Sequence, residues 1–381
     1  MDSSLILFLI VVLIAFFVSG LFFYGVWKLV RSFIVEKRVI ERIRDALRLG
    51  RSEANPILRT GPYAWEAESV LNPAVVEAGD RTHMFYRAVG ADGVSRIGYA
   101  SSADGTDFDE RLPYPVFAAD GLRDGRRYRY DPVAYPSGGS WGGTEDPRAV
   151  VIDDKLYLTY NLFDGWDNMR VALTTLSVKD LIAKRWNWSK PTFLSPAGER
   201  HKNWVLFPEK VNGQFALMHN LHAEDADTVR IEYVDDPTRI GTEAPHIESP
   251  NPHAMPDRAI AWHKRMRSIG PPPLKTALGW LMFYHANDDE SHKYKMGAAL
   301  LDLFDPTKVI ARSLAPVLVP DADYENEGKP GIVYGCGATI KDDTLRVYYG
   351  GGDRVVCSAT AHLPTFLDAL INQRTPQLAR I

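Results

Sequence analysis

Two acids, a proline and an arginine stand side by side in the segment GGTEDPRAVV, residues 142–151. A carboxyl group such as that of Glu145 or Asp146 can donate or accept a proton when it lies in a pocket, and Arg148 could orient it. The same letters are also typical of a solvated surface turn, because Asp-Pro often begins a turn. Asp146 is therefore a candidate acid whose role depends on its surroundings.

Other polar residues occur at positions equivalent to one another, each at the end of an apolar strand. They are Arg87, Asn161, Asn220, His285 and Asp353. If the strands converge, these side chains form a polar ring in a mostly apolar barrel, which is typical of a ligand site. The alternative is that each side chain caps its own strand or bonds a buried carbonyl.

The strands that would position these residues belong to a repeat. In most copies a proline leads into a strand, a short turn follows, and a second strand ends in tyrosine or histidine. The copies begin roughly 60–75 residues apart, at Asn72, Asp146, Phe207, Pro271 and, less regularly, Gly331. We interpret the leading proline as the first residue of its strand, because proline cannot donate to a β ladder.

A repeat of this length is enough for a four-stranded blade and its loops. It predicts an all-β fold, a five-bladed β-propeller over residues 53–381, with a β-sandwich as the alternative. In a propeller the innermost strands begin at one mouth of a central channel. We therefore expect Asn72 and Asp146 to meet in space.

The amino terminus has a different character. No residue from Ser3 to Trp27 is charged, and a membrane-spanning helix needs about 20 apolar residues. Basic residues follow the apolar run and none precedes it, which predicts an anchor over residues 1–30 with the rest of the chain in the cytoplasm. Residues 31–52 read as a basic amphipathic helix on the membrane surface, or equally as a solvated spacer.

Composition excludes several classes. The net charge is −4 over 381 residues, which argues against a nucleic-acid-binding face. Cys336 and Cys357 are the two cysteines and have no CxxC or Cys/His spacing. The sequence therefore predicts neither a disulfide framework nor a metal site, and no cofactor.

Stretches spread over residues 55–361 resemble glycoside hydrolase family 130, which contains β-mannoside phosphorylases and β-1,2-mannosidases. They include LNPAVV, TEDPRAVVIDDKLYLTY, VLFPEKVNGQFALMH, GPPPLKTALGWLMFYH and VYYGGGD, in the family's order. The resemblance implies a five-bladed β-propeller that cleaves β-mannosidic bonds with inversion. The amino-terminal segment lies outside it.

The resemblance also implies roles for single residues. Asp146 matches the family's general acid, and the resemblance implies that it passes its proton through a hydroxyl of the bound mannose. A buried carboxyl with a raised pKa suits this task. The resemblance also implies that Asn72, Arg87, Arg96 and Asp353 bind the mannosyl unit. From the residues themselves we add Glu145, Arg148 and His285 as candidates for substrate binding, and Arg148 could instead orient the Asp146 carboxylate. For Arg148 the alternative is an ion pair with Glu145.

What attacks the sugar is a separate question. Phosphorolysis needs cations to hold phosphate, for which the candidates are His201, Lys202 and Arg267, with Lys264 and Arg265 nearby. Hydrolysis needs a second carboxylate, for which Glu224 and Asp225 are candidates. Asn220 stands where the family's phosphorylases have an arginine. We expect phosphorolysis to mannose 1-phosphate, with inorganic phosphate as co-substrate, over hydrolysis.

Two further alternatives remain at this point. One is a propeller that binds sugar without turnover, against which the placed acid Asp146 argues. The other is a membrane scaffold that uses its rim to bind partners. The segment 120–141, rich in Arg, Tyr and Gly, is either an aromatic lip over the acceptor subsites or a surface insertion.

Overall fold

The computed structural model describes residues 3–118, 142–164, 169–220, 228–240, 253–254, 262–263, 265–287 and 291–373. Three features discussed above lie outside the described residues: the segment 120–141, the acids Glu224 and Asp225, and Lys264. The side chains of Asn220 and Arg265 are not described either.

One helix opens the chain. The helix α1 spans Ser3–Leu47, so no break separates an anchor over residues 1–30 from a helix over residues 31–52. The structure describes only some of the side chains of α1. Among the described residues, no helix is long and apolar enough to cross a membrane. The predicted anchor and membrane partner are therefore not supported, and placement in the cytoplasm stays a prediction.

The described remainder is mostly β-strands, which we divide into five consecutive groups; the first two groups share one eight-stranded sheet, and each of the other three groups lies in a sheet of its own. The first group contains β2 (Ser69–Ala78), β3 (Arg81–Val89), β4 (Val94–Ser102) and β5 (Glu110–Arg111). The second contains β6 (Gly142–Ile152), β7 (Lys155–Phe163), β8 (Met169–Ser177) and β9 (Thr192–Phe193). The third contains β10 (Val205–Leu206), β11 (Phe215–Asn220), β12 (Thr228–Val234) and β13 (His253–Ala254).

The fourth group contains β14 (Arg265–Ile269), β15 (Leu274–Thr276), β16 (Gly279–Asn287), β17 (Lys295–Leu301) and β18 (Val309–Arg312). The fifth contains β19 (Val333–Lys341), β20 (Thr344–Gly351) and β21 (Val355–His362). The strand β1 (Gly50–Arg51) pairs antiparallel with β21. The helices α2 (Val178–Ile182) and α3 (Leu363–Ile371) follow β8 and β21.

Tight turns join the first two strands of several groups. Asp153 and Asp154, Asn212 and Gly213, and Asp342 and Asp343 all have positive φ. Two-residue turns with both central residues at positive φ match the twist of antiparallel strands, and Asp, Asn and Gly tolerate that conformation best. The repeated pair of strands seen in the sequence is therefore a repeated hairpin.

Each group packs against the next through a hydrophobic cluster. The five clusters pair groups one and two, two and three, three and four, four and five, and five and one. One member from each of the two groups, cluster by cluster in that order, is Phe85 and Leu158, Tyr157 and Phe215, Phe207 and Trp280, Phe283 and Val347, and Tyr348 and Tyr86. Burying one such large apolar side chain contributes roughly 1.5–3 kcal/mol, so these clusters are a main source of stability.

A cavity of about 240 Å³ lies where the groups converge. Its lining includes a residue from each group: Val75, Ala149, Pro208, Pro273 and Ala338. The first strands, or the segments beside them, therefore all border this cavity.

The fifth group also binds the start of the β region. Arg51 of β1 donates two hydrogen bonds to the buried carboxylate of Glu325, at 2.8 and 2.7 Å. Tyr349 donates a third to the same carboxylate, at 2.8 Å. This network fastens the amino-terminal strand to the last strands of the chain.

Candidate active site

Asn72 and Asp146, the two residues expected to meet, lie where the strand pairing of β2 and of β6 becomes irregular. Asn72 and Asp146 both have positive φ, 49° and 47°, and each precedes a proline. The pairing register shifts between Leu71 and Ala74 in β2, and in β6 at the corresponding place. The prolines therefore lie inside their strands at β-bulges, not at the first strand residue as predicted. A residue in a bulge is left out of the regular hydrogen-bond ladder, so the N–H that proline lacks is not needed there.

The bulge in β6 redirects side chains. In a regular strand Glu145 and Asp146 would point to opposite faces of the sheet. Here Arg87 forms hydrogen bonds with both carboxylates. Its Nη2 donates to Glu145 Oε1 at 2.9 Å, and its Nη1 donates to Asp146 Oδ1 at 3.1 Å. The local conformation of Asp146 thus places two carboxylates beside one guanidinium.

Asp146 is held by one oxygen. Its Oδ1 also accepts a hydrogen bond of 2.6 Å from Asn72 Nδ2. Within the described part of the chain, Oδ2 accepts no hydrogen bond. A carboxyl group fixed through one oxygen can offer the other to a ligand. Asn72 and Asp146, far apart in the sequence, do meet as expected.

Glycine at position 143 lets the first two groups join. The strands β4 and β6 pair in parallel, with Ser95 opposite Gly143. A Cβ on Gly143 would lie 2.2 Å from the Ser95 carbonyl oxygen, and its φ is +121°. The close approach matters for the site because Ser95 Oγ accepts a hydrogen bond of 2.9 Å from Arg87 Nε.

Arg148 bonds main-chain carbonyls. Its Nη1 donates to the carbonyl of Asp146 at 2.9 Å, and its Nε donates to that of Gly270 at 2.8 Å. Its guanidinium lies 5.8 Å from the ring centre of Tyr334. Among the described residues it forms no ion pair with Glu145, the predicted alternative. Arg148 therefore fixes the Asp146 backbone against the fourth group.

His285 uses both ring nitrogens within the protein. The Gly335 N–H donates to Nε2 at 2.8 Å, so Nδ1 carries the proton and donates to Ser268 Oγ at 2.9 Å. Burial, and then the charge of Arg148, lower the pKa of His285 to about 3. The neutral ring stacks on Tyr334 at 4.2 Å. Its predicted contact with substrate stays a prediction.

Asp353 shares the electrostatic environment of Asp146. Burial raises the pKa of Asp353 against the charges of Lys329, Arg87 and Lys202, and the charge of Asp146 raises it further. Lys329 Nζ lies 3.9 Å from its Oδ2. Asp353 has a φ of 51°, in the same left-handed region as Asn72 and Asp146.

The predicted phosphate-binding residues are not all together. Lys202 acts on the pKa of both Asp146 and Asp353, which places it at the cluster. His201 bonds Glu199 at 2.8 Å and packs edge-on against Trp204. Arg267 is exposed and donates to the Tyr294 hydroxyl at 3.0 Å. Only Lys202 is linked to Asp146 by the interactions described here.

Arg96 lies on the other face of the hairpin that carries Arg87. It pairs across the ladder with Ala88, and Arg87 pairs with Ile97, so the two arginines alternate in direction. Arg96 donates to both carboxylate oxygens of Asp92, at 3.0 and 2.6 Å. The structure does not bring Arg96 into contact with Asp146.

The pKa of Asp146 departs from expectation. Burial acts to raise it, but Arg87, Lys202, Arg148 and the Asn72 hydrogen bond outweigh burial and lower the pKa to about 2. The expected raised pKa is therefore wrong for the ligand-free site, because its surroundings are more cationic than the sequence indicated. Asp146 is ionised at neutral pH until a ligand changes those surroundings.

Two residues beside the site, Asn203 and Gly350, escaped sequence analysis. Asn203, which follows Lys202, has a φ of 63°. Its backbone N–H donates to Asn161 Oδ1 at 2.7 Å, and Asn161 Nδ2 donates back to its side chain at 3.0 Å. Gly350, within the YYGGGD segment, lies against Asn72. The asparagine next to a basic residue and the run of glycines were the available signals.

Replacing Gly350 by alanine is expected to lower kcat about 10²-fold, because small misplacements of catalytic groups have effects of that size. A Cβ there would lie 2.3 Å from Asn72 Oδ1 and 3.0 Å from the Asn72 backbone N. Asn72 would have to move and release Asp146. Steady-state kinetics measures the loss. Gly50→Ala, whose Cβ meets only a carbonyl at 3.6 Å, is the control; equal activity of both variants would contradict the placement of Asn72.

Comparison with known proteins gives a consistent set of relatives. A family model for glycoside hydrolase family 130, described as β-1,4-mannooligosaccharide phosphorylase, matches residues 48–371. A 1,2-β-oligomannan phosphorylase of Thermoanaerobacter sp. (strain X514) is 35% identical over 321 residues, which cover 81% of this chain and 96% of the relative. A β-1,2-mannobiose phosphorylase of the same strain is 34% identical over 321 residues, covering 80% and 94%.

A solved structure is similar over most of the chain. The β-1,2-mannobiose phosphorylase of Listeria innocua, in complex with β-1,2-mannobiose, matches with a TM-score of 0.64 and 22% identity, covering 84% of this chain and 99% of that one. At this identity the match shows a shared fold.

Proposed function

The chain belongs to glycoside hydrolase family 130, and on this premise we propose that it is a phosphorylase that cleaves β-mannosidic bonds with inversion and releases mannose 1-phosphate. The observation that carries the proposal is the cluster around Asp146. Residues from β2, β3 and β6 converge there on a buried carboxyl group that keeps one oxygen for a ligand. A protein that only binds sugar would not need a carboxyl group held in this way.

The proposal includes the five-bladed propeller. Its support is the five strand groups, the five clusters that join each group to the next and the last to the first, and the cavity lined by all of them. In such a ring Asn72, Asp146 and Asp353 lie around one axis. The sugar would bind at the mouth of the channel where they meet.

Asp146 acts as the general acid in this account. Phosphate oxygen forms a bond to the anomeric carbon as the glycosidic C–O bond breaks, and the Asp146 proton goes to the departing oxygen, through a mannose hydroxyl as the family resemblance implies. The proton must be present in the substrate complex. Phosphate bound among the cations that lower the Asp146 pKa would offset their charge and raise that pKa.

Phosphorolysis is preferred over hydrolysis for two reasons. The relatives at 34–35% identity are phosphorylases. The cations Arg87, Arg148 and Lys202 also act together at Asp146, which suits an anionic nucleophile. Because both relatives are named for β-1,2 linkages, we propose a β-1,2-linked mannoside as the substrate.

The full-length enzyme incubated with β-1,2-mannobiose, with and without inorganic phosphate, tests the proposal. We expect mannose 1-phosphate in equal amount to the mannose released, and only when phosphate is present. β-1,4-mannobiose in parallel tests the linkage. Free mannose formed at the same rate without phosphate would instead show a hydrolase. Asp146→Asn serves as the blank for contaminating activity.

A further inference from the structure

We infer that Glu145 is a positioning residue, which holds Arg87 in place and offsets its positive charge so that Asp146 can be protonated in the reaction. This assignment differs from the substrate contact expected from the sequence. It rests on the proposed role of Asp146 as general acid, but not on whether phosphate or water is the nucleophile.

The first support is burial. Glu145 is 0% exposed, whereas Asp146 retains 4% exposure. The Glu145 carboxylate forms an ion pair of 2.9 Å with Arg87, whose side chain is 1% exposed. A sugar could not reach this carboxylate unless the residues that bury it moved aside. A buried charge of this kind interacts with the groups around it more strongly than a solvated one would.

The second support is the geometry of the guanidinium. Arg87 has a planar fork of N–H donors, and three of its nitrogens have partners on two different strands: Ser95 of β4, and Glu145 and Asp146 of β6. Glu145 and Ser95 hold two corners of the plane. The third corner then has to point at Asp146 Oδ1. Without Glu145 the plane could rotate or tilt away from the acid.

The third support is the balance of charge. The charged or titratable groups that act on Asp146 and its immediate neighbours come from several strand groups and the segments between them: Arg87, Arg148, Lys202, His285, Lys329, Tyr334, Cys336 and Asp353. His285 is neutral, and four of the others are cations. Glu145 supplies a fixed negative charge next to the cation that contacts Asp146.

The consequence for protonation follows from the signs. Removing the Glu145 charge leaves less negative charge to offset Arg87, so the Arg87 charge stabilises ionised Asp146 more strongly and lowers its pKa further. The general acid must be protonated for kcat, so the alkaline limb of the kcat profile follows the Asp146 pKa in the substrate complex. That limb should therefore move toward lower pH.

The test is the pH profile of kcat for Glu145→Gln, which keeps the shape and a hydrogen-bond acceptor but removes the charge. We expect the alkaline limb to move down by about 1 pH unit and kcat at neutral pH to fall about 10-fold, because one pKa unit is a tenfold change in protonation. KM for the mannoside should change little. A limb that stays in place, or a loss equal at every pH, would overturn the inference.

Two further variants keep the test decisive. Glu145→Asp retains the charge, so its limb should stay at the wild-type pH even if kcat falls; a shifted limb would count against the inference. Asp109→Asn is the control. It removes an exposed carboxylate that pairs with Arg81, which lies at the start of β3, the strand that carries Arg87, and it should leave the pH profile of kcat unchanged. Thermal unfolding of each variant checks that it is folded.

Failure of the proposed function can be recognised separately. If the wild-type enzyme releases mannose without phosphate, phosphorolysis is wrong, but Asp146 still donates a proton and the Glu145 comparison can be made in the hydrolytic reaction. If Asp146→Asn is fully active, the role of Asp146 is wrong, and a Glu145 effect on the limb would then have no basis.

Discussion

Replacing Asp146 by asparagine is expected to lower kcat by about 10²–10⁴-fold, the range that general acid catalysis contributes. Asparagine keeps the size of the side chain and tolerates the positive φ at this position, so the fold should survive. It cannot supply the proton to the departing oxygen. Phosphate-dependent release of mannose 1-phosphate from β-1,2-mannobiose measures the loss, and thermal unfolding checks the fold.

Asp353→Asn is the matched variant for that experiment. Asp353 is also buried, has a φ of 51° and has a raised pKa, so by pKa alone it could be the acid instead. We expect Asp353→Asn to raise KM for the mannoside more than it lowers kcat. A larger loss of kcat from Asp353→Asn than from Asp146→Asn would reverse the assignment of the two carboxyl groups.

Replacing Arg87 by methionine is expected to lower the free energy of unfolding by about 3–5 kcal/mol at neutral pH, the usual cost of breaking a buried ion pair. The change leaves Glu145 and Asp146 buried without their shared cation. Denaturant unfolding measures it. The variant should also lose most of its activity, because Asp146 loses its fixed orientation.

The pH dependence of that effect has a defined sign. The Asp146 pKa is lowered in the folded wild-type protein from 3.8 to about 2. Its contribution to stability is therefore present above its unfolded pKa and is lost as the pH falls through the folded pKa. We expect the difference between wild type and Arg87→Met to shrink between about pH 4 and pH 2.

Arg96→Met is the control for stability. Its side chain is 23% exposed and that of its partner Asp92 is 48% exposed, and such pairs contribute only about 0–1 kcal/mol. The two arginines lie on neighbouring strands of one hairpin. Equal destabilisation by both substitutions would show that the Arg87 network is not the source of the effect.

Much of the site was predictable because the repeat brings equivalent positions together. Asn72 and Asp146 begin equivalent copies in the sequence, and the structure joins them by a hydrogen bond of 2.6 Å. The cation beside them, Arg87, was also expected at the site. Equivalent positions in a repeat share geometry, so a pattern of residue types was enough to infer which would meet.

Other features could not be predicted, since they depend on local detail. The sequence does not show that a bulge turns Glu145 and Asp146 to one side, nor that strand alternation turns Arg96 away from Arg87. The Asp146 pKa is a small difference between large opposing effects of burial and of cations from several segments. Such a balance depends on distances that only the folded chain supplies.

His285 illustrates a third limit. Its position near the end of a buried strand fits both a ligand contact and a packing role. The backbone N–H of Gly335 occupies one nitrogen and Ser268 the other, which favours packing. The partner residues lie far along the chain, so neither reading could be excluded from local sequence.

The most direct test of the central claim is a crystal structure of the Asp146→Asn enzyme with β-1,2-mannobiose bound. The claim is that one carboxyl group, fixed by Asn72 and Arg87, faces the sugar. It predicts the sugar between residues 72, 146 and 353, with a sugar hydroxyl or the glycosidic oxygen about 3 Å from the free side-chain atom of residue 146. A sugar bound elsewhere, or residue 146 turned away from it, would contradict the account.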